Sequence, residues 1–260
     1  MYTQLASEVT VIIHAAWPVN FLAPLPSFDS ALAGTKNLIQ LANSGNFKKR
    51  MIFCSSTASV IRAPTPICEE PSCDPAHASP LGYSRSKWVA EGMVYQAGGE
   101  VVRLGQLSGD TKAGVWNAEE GWPLLLKTLE HVHCLPELKE PVQWLPVDIA
   151  ADAIVRIALR QGACEDKRFW HVLNAKSLPW NTVLDAMNTW RGHLFRATPQ
   201  EWLKRLAVAE RKGETLKLLG LWKETVKFPY NHTGVRLRKL IVFLTVWRRG
   251  DHGGTSSAGL

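Results

Sequence analysis

Three short apolar runs, spaced by stretches of helical periodicity, constrain this chain more than anything else in it. They are Val9-Thr10-Val11-Ile12-Ile13-His14-Ala15-Ala16, Arg50-Met51-Ile52-Phe53-Cys54-Ser55-Ser56 and Glu100-Val101-Val102-Arg103-Leu104-Gly105-Gln106. Runs this continuous do not alternate between a wet and a dry face, so they read as strands buried on both sides. Such strands need helices above and below. Residues 29–43, with Ser27 or Asp29 as N-cap, and residues 80–96 supply them. Strand, helix, strand, helix, strand predicts an α/β fold, a partial Rossmann-like doubly wound parallel sheet.

Beyond Gly109 the rhythm changes. Gly114-Val115-Trp116-Asn117 and Gly121-Trp122-Pro123 are turn-rich and aromatic, and residues 149–160 form an amphipathic pattern. Residues 169–174 read as a short strand, and residues 180–191 and 199–219 as helices of a small lobe. A length of 260 residues accommodates this division. Residues 1–110 are expected to form the partial Rossmann-like domain, and 111–230 turn-rich segments and a mostly helical C-terminal lobe. Residues 231–260 are a basic, Gly/Ser-rich tail expected to be partly disordered.

Charge and cysteine content narrow the partners. The net charge is +7, but the basic residues gather between 191 and 249. A solvated helical face and a basic tail account for that without nucleic acid, and positive potential also suits a phosphate-bearing ligand. The apolar run 240–247 is too short to span a bilayer, and no signal peptide opens the sequence, so no membrane partner is expected. Five cysteines without disulfide-scaffold density fit a reducing, cytoplasmic setting. Cys68, Cys73 and His77, and His131, His133 and Cys134, lack a recognised metal-ligand spacing and read as loop and surface residues.

The chemistry gathers at Tyr83-Ser84-Arg85-Ser86-Lys87. Four residues apart on a helix, Tyr83 and Lys87 share one face. An ammonium beside a phenol is expected to lower the phenol's pKa. A hydroxyl at the end of the preceding strand, Ser56 or Thr57, can bond the same substrate oxygen. Together these groups make a proton-transfer site for a carbonyl undergoing hydride transfer.

The ordered blocks IIHAAWPVNF, GTKNLIQLA, FCSSTASV, GYSRSKWVAE, VVRLGQLSGD and WLPVDIAADAIV resemble the thioester reductase domain. This extended short-chain dehydrogenase/reductase ends fungal nonribosomal-peptide-synthetase-like and polyketide assembly lines. The resemblance implies NADPH as cofactor and a carrier (thiolation) domain as partner, presenting an acyl thioester on a phosphopantetheine arm. The product is an aldehyde, with an alcohol from further reduction. It implies that Tyr83 acts on the carbonyl oxygen, that Lys87 also bonds the nicotinamide ribose, and that Ser56 or Thr57 is the hydroxyl partner. His14, Ala15 and Ala16 would line the cofactor, Arg103, Gly105 and Gln106 would close the nicotinamide face, and Trp116, Asn117 and Trp144 would lie near the substrate channel. Blander roles remain open: His14 as a strand cap, the tryptophans as packing, Asn37 as a plain helix residue or one ordering a water near Lys87.

The chain departs from the family in one respect. A strand, a Gly-rich turn and a helix normally cradle the dinucleotide pyrophosphate. Here the first glycine is Gly34. In the strand order 3-2-1-4-5-6 the run 9–15 would be strand 4, with strands 1 to 3 missing and an apolar edge exposed. The alternatives to a thioester reductase are another extended oxidoreductase or epimerase, or an inactive truncated remnant. Without the cradle, this chain by itself is expected to hold NADPH weakly, because few contacts offset the ordering of a long charged ligand. Titration calorimetry checks this, and micromolar affinity would contradict it.

Overall fold

The computed structural model describes residues 1–160, 167–211 and Trp222. Helix α1 (Tyr2–Glu8) leads to β1 (Val11–His14), and a 3-10 turn (Leu25–Phe28) opens α2 (Asp29–Ala42). Strand β2 (Arg50–Ser56), helix α3 (Gly82–Gln96) and strand β3 (Glu100–Leu104) complete the predicted alternation. Then come β4 (Leu107–Ser108), α4 (Gly121–Lys127), α5 (Leu129–Val132), β5 (Cys134–Pro136), β6 (Leu145–Pro146) and α6 (Val147–Leu159). Strand β7 (Phe169–Val172), α7 (Trp180–Arg191), β8 (Phe195–Ala197) and α8 (Pro199–Arg211) follow.

The main sheet has the order β1-β2-β3-β7, and every pair in it is parallel. On one face Ile12, Met51, Phe53, Val101 and Phe169 pack with Leu41, Ala90 and Val94 from α2 and α3. On the other, Ile52 and Val102 meet Ala158 of α6. The expectation of strands buried on both faces holds for β2, where residues 51–55 are all buried. It fails for β1: Ile12 is buried, whereas Ile13 is 42% exposed. Ile13 is in register with Ile52, which α6 covers, but it lies at the margin of the sheet beyond that cover.

The C-terminal lobe is built around the parallel pair β5 and β8. Its core joins Leu135, Trp180, Leu184, Trp202 and Leu206. Both buried indoles find acceptors, Trp180 Nε1 at the Pro136 carbonyl (2.7 Å) and Trp202 Nε1 at Thr128 Oγ1 (3.1 Å), as buried tryptophans generally must. Cys134, expected at the surface, is fully buried in this core. Its strand needs an apolar side chain there, and a free thiol serves as one. Helix α2 has no side-chain cap: residues 25–28 already coil, so Ser27 lies inside the turn and Phe28 occupies the cap position.

The thiols of Cys54, Cys68, Cys73 and Cys134 are free. Among the described residues no helix is long and apolar enough to cross a membrane, and no cluster of three or more His, Cys, Asp or Glu could hold a metal ion. The end of the helix predicted over 199–219, the apolar run 240–247 and the tail lie outside the described residues.

One backbone crossing ties the fold to the site. The segment 23–25 runs directly over Gly82 at the start of α3: a Cβ there would lie 2.3 Å from the Ala23 carbonyl oxygen and 2.6 Å from the Leu25 nitrogen. Gly82→Ala is therefore expected to force segment and helix apart. The cost should be about 1–3 kcal/mol, as for other overpacking changes, read as a lowered urea midpoint with an unchanged slope.

Candidate active site

Because β1, β2 and β3 run parallel, their C-terminal ends share one rim of the sheet. Ala15 and Ala16, Thr57, and Gly105 and Gln106 follow those ends. Open parallel sheets bind ligands at this rim. Helix α3 returns from the rim toward the start of β3, so Tyr83 in its first turn lies at the rim and Lys87 one turn deeper. Ala15, Ala16 and Gln106 are exposed there. Gly105 allows a close approach: a Cβ would meet Leu173 Cδ2 at 2.7 Å.

Tyr83 is half-buried, with the rings of Phe21 and Phe28 edge-on to it at 5.2 and 6.4 Å. The Ser56 side chain lies close enough to its phenol to favour the ionised form, and Ser56 Oγ accepts the Ala58 N–H (3.2 Å). Thr57 begins the short 3-10 turn Thr57–Ser59 that follows.

Lys87 is 3% exposed. Its Nζ donates to the Cys54 carbonyl at 2.6 Å and lies 4.6, 4.7 and 5.9 Å from the ring centres of Trp17, Phe53 and Tyr83. Burial pulls its pKa down to about 7, against the opposing influence of Cys54 and Glu91. Burial likewise pushes the Tyr83 phenol up; the Ser56 bond works against this and the Glu120 charge adds to it. The spacing predicted a phenol lowered by its ammonium neighbour. Desolvation dominates instead and favours the neutral form of both groups.

His14 is buried, with Nε2 3.1 Å from Thr35 Oγ1. The Thr35 proton is committed to the Ala31 carbonyl (2.9 Å), so Thr35 accepts and His14 carries its proton on Nε2. Burial first, then the Lys87 charge, holds the His14 pKa down. The side chain thus bonds α2 rather than capping its own strand. On α2 it is Thr35 that turns to the sheet, and Asn37 is exposed.

Arg103, expected beside the cofactor, has its guanidinium fully buried, paired with Glu91 (Nη2 to Oε2, 2.8 Å), bonded to the Cys68 carbonyl and set 4.6 Å from the Phe169 ring centre. These partners take up its donors inside the fold. Glu91, four residues beyond Lys87, was missed. The signal was present: a charged residue inside an apolar run demands a buried partner, and Tyr83, Lys87 and Glu91 form one stripe on α3. Trp116 and Trp144 pack edge-on at 5.1 Å, and Trp122 joins Trp144 at 5.4 Å. Trp116 Nε1 donates to Glu120 (3.0 Å), whose charge is felt at Tyr83. Asn117 is exposed and accepts the Glu119 N–H.

A parallel sheet with helices on both faces and polar side chains gathered at its C-terminal rim is the partial Rossmann-like α/β fold that the sequence predicts. The chain belongs to the NAD-binding family described as male sterility protein, which it matches over residues 1–154. It is 34% identical over 229 residues to the non-canonical non-ribosomal peptide synthetase ascB of Acremonium egyptiacum, and 33% identical over 225 residues to the adenylate-forming reductase stbB of Stachybotrys bisbyi. These matches cover 82% and 81% of this chain, and the chain spans about a fifth (21%) of each relative. Among solved structures, the terminal R domain of the myxalamid PKS-NRPS pathway superposes with a TM-score of 0.75 at 25% identity, over 86% of this chain and 58% of that one. A thiolation-reductase di-domain from an archaeal non-ribosomal peptide synthetase shares the fold, with a TM-score of 0.67 at 18% identity over 90% of this chain and 52% of that one.

Two titrations test the electrostatics. NMR of 13C-labelled lysine should place the Lys87 midpoint near pH 7. In the unfolded chain an ordinary lysine titrates near 10.4, so the unfolded state binds more protons between the two values. The cost of burying Lys87 is then complete below about pH 7 and fades as pH rises toward the unfolded value. Lys87→Met should accordingly stabilise the fold, relative to wild type, more at acid than at alkaline pH. A pH-independent difference in urea midpoint would contradict it.

Proposed function

We propose that this chain forms the catalytic face of an NADPH-dependent reductase that releases an acyl group from the phosphopantetheine thioester of a carrier domain as an aldehyde, with the alcohol as the product of a second reduction. The observation that carries the reading is the Tyr83–Ser56 pair at the rim, with Lys87 buried directly behind it. The likeness to assembly-line reductases supports the thioester substrate and the carrier partner. The choice of NADPH over NADH rests on that likeness alone. Free thiols throughout the described chain suit work in a reducing cytoplasm.

The donor set fits the nicotinamide end of the cofactor. Lys87 would bond its ribose, Tyr83 would face the substrate oxygen beside it, and Ala15, Ala16, Gly105 and Gln106 would border it at the rim. The bound dinucleotide supplies the hydride. The chain's own groups do the rest. A carbonyl oxygen between Ser56 Oγ and the Tyr83 hydroxyl accepts a hydrogen bond from each, which stabilises the negative charge that develops on it. A neutral phenol suits this role, since it has a proton to give. With hydride added, the tetrahedral thiohemiacetal breaks its C–S bond, the thiolate leaves, and the aldehyde remains. In a second round the alkoxide takes the Tyr83 proton. Lys87, titrating near neutrality, can then return a proton to the phenolate.

Tyr83→Phe should lower turnover of an acyl-pantetheine thioester by about 10²–10⁴-fold, the range of general acid catalysis, while NADPH affinity stays close to wild type. NADPH consumption measures it, in this chain or in the chain extended upstream by a glycine-rich turn. Undiminished turnover would remove Tyr83 from the mechanism. Ser56→Ala should slow the reaction far more than Thr57→Val, and Lys87→Ala should weaken NADPH binding and rate together.

A further inference from the structure

We propose that Glu91 is a positioning residue that fixes the Ser56 hydroxyl against Tyr83. The proposal assigns Glu91 to the site identified under "Proposed function" and rests on that reading for its importance to catalysis.

The geometry is specific. Glu91 Oε1 accepts the Ser55 hydroxyl at 2.5 Å and lies 2.5 Å from the Ser59 hydroxyl. Ser59 Oγ also lies 2.7 Å from the Ser56 carbonyl oxygen, so one hydroxyl joins Glu91 directly to the Ser56 backbone. Glu91 therefore grips the chain on both sides of Ser56, through the residue before it and the residue three after it. Its second oxygen takes Arg103 Nη2 (2.8 Å) and Nε (3.1 Å). Glu91 meets Arg103 as a buried salt bridge, and a carboxylate so paired accepts hydrogen bonds and donates none. Ser55 must consequently donate to it, and the single Ser59 proton is shared between Glu91 and the Ser56 carbonyl. The Ser55, Ser59, Glu91 and Arg103 side chains are all buried, so water does not compete for these bonds.

Without such a grip Ser56 would be poorly placed. It ends β2, and the backbone leaves the sheet for a 3-10 turn at the next residue. Turns at strand ends lack ladder bonds on both sides, and a catalytic hydroxyl there needs support from its neighbours. Helix α3 provides that support from the stripe that also presents Tyr83 and Lys87. One rigid element thus sets the separation of the phenol, the ammonium and the serine.

The test uses the influence of Ser56 on the Tyr83 phenol and needs no turnover. With 13C-labelled tyrosine, and Tyr83→Phe to assign the resonance, the Tyr83 titration is followed by NMR. In the wild-type chain Ser56→Ala removes a bond that favours the phenolate, so it should move the Tyr83 midpoint up. In a Ser55→Ala/Ser59→Ala background, which keeps the Glu91–Arg103 pair, the same Ser56→Ala change should move the midpoint by less than half as much. An equal shift in both backgrounds overturns the proposal. If that background does not fold, the single Ser59→Ala variant carries the same comparison, with a reduced shift expected and an undiminished one fatal. A protein that gives the expected NMR result but does not reduce a thioester would refute the reductase reading and leave the role of Glu91 standing.

Discussion

A single buried charge pair, Glu91 with Arg103, holds together the parts of this molecule that matter. Removing one member of a buried pair strands the other in a low-dielectric interior, at a cost of about 3–5 kcal/mol. Here the pair also spans elements far apart in sequence. Arg103 reaches from β3 to the loop carbonyl of Cys68 and to His171 of β7, while Glu91 reaches from α3 to both ends of the Ser56 turn. The His171 pKa falls to about 4, through burial and then the adjacent guanidinium, which keeps that ring neutral beside its cationic neighbour. Sheet, helix and the turn that follows β2 are joined at one point.

A second ionic group works at the lower margin of the sheet. Glu100 bonds Arg50 (2.7 Å), Arg160 (2.6 Å) and the Trp170 indole (3.2 Å). The three ladder strands β2, β3 and β7 and the end of α6 are thereby clamped at the end opposite the rim. Its surroundings are wetter than those of Glu91, so its contribution to stability is smaller and more sensitive to salt. The two clusters divide the labour: one secures the sheet where it begins, the other the rim that carries Ser56 and Tyr83.

Much of this was legible in the residues. Continuous apolar runs marked β2 and β3, and helical spacing marked α2, α3, α6 and α7, because periodicity reports burial on a local scale. What escaped were properties of the assembled interior. Nothing local distinguishes Arg103 pointing to a cofactor from Arg103 pointing to Glu91, since strand twist and helix placement decide it. Nor does an i, i+4 spacing show whether the Lys87 charge or the loss of water governs Tyr83. Loss of water governs, with Phe21 and Phe28 against the Tyr83 ring and Trp17 and Phe53 against the Lys87 ammonium. The short strands β4, β5, β6 and β8 were missed for another reason: runs of two or three residues carry no period to read.

The bare Cα of Gly82 has a consequence for how such a site can change. Backbone contact across that glycine makes the segment bearing Phe21 and Phe28 and the helix bearing Tyr83 a single mechanical body. A change that moved either ring would therefore be carried straight to the first turn of α3 and would re-aim the phenol itself. The packing around Tyr83 and its direction are set by one contact, so neither can drift without the other.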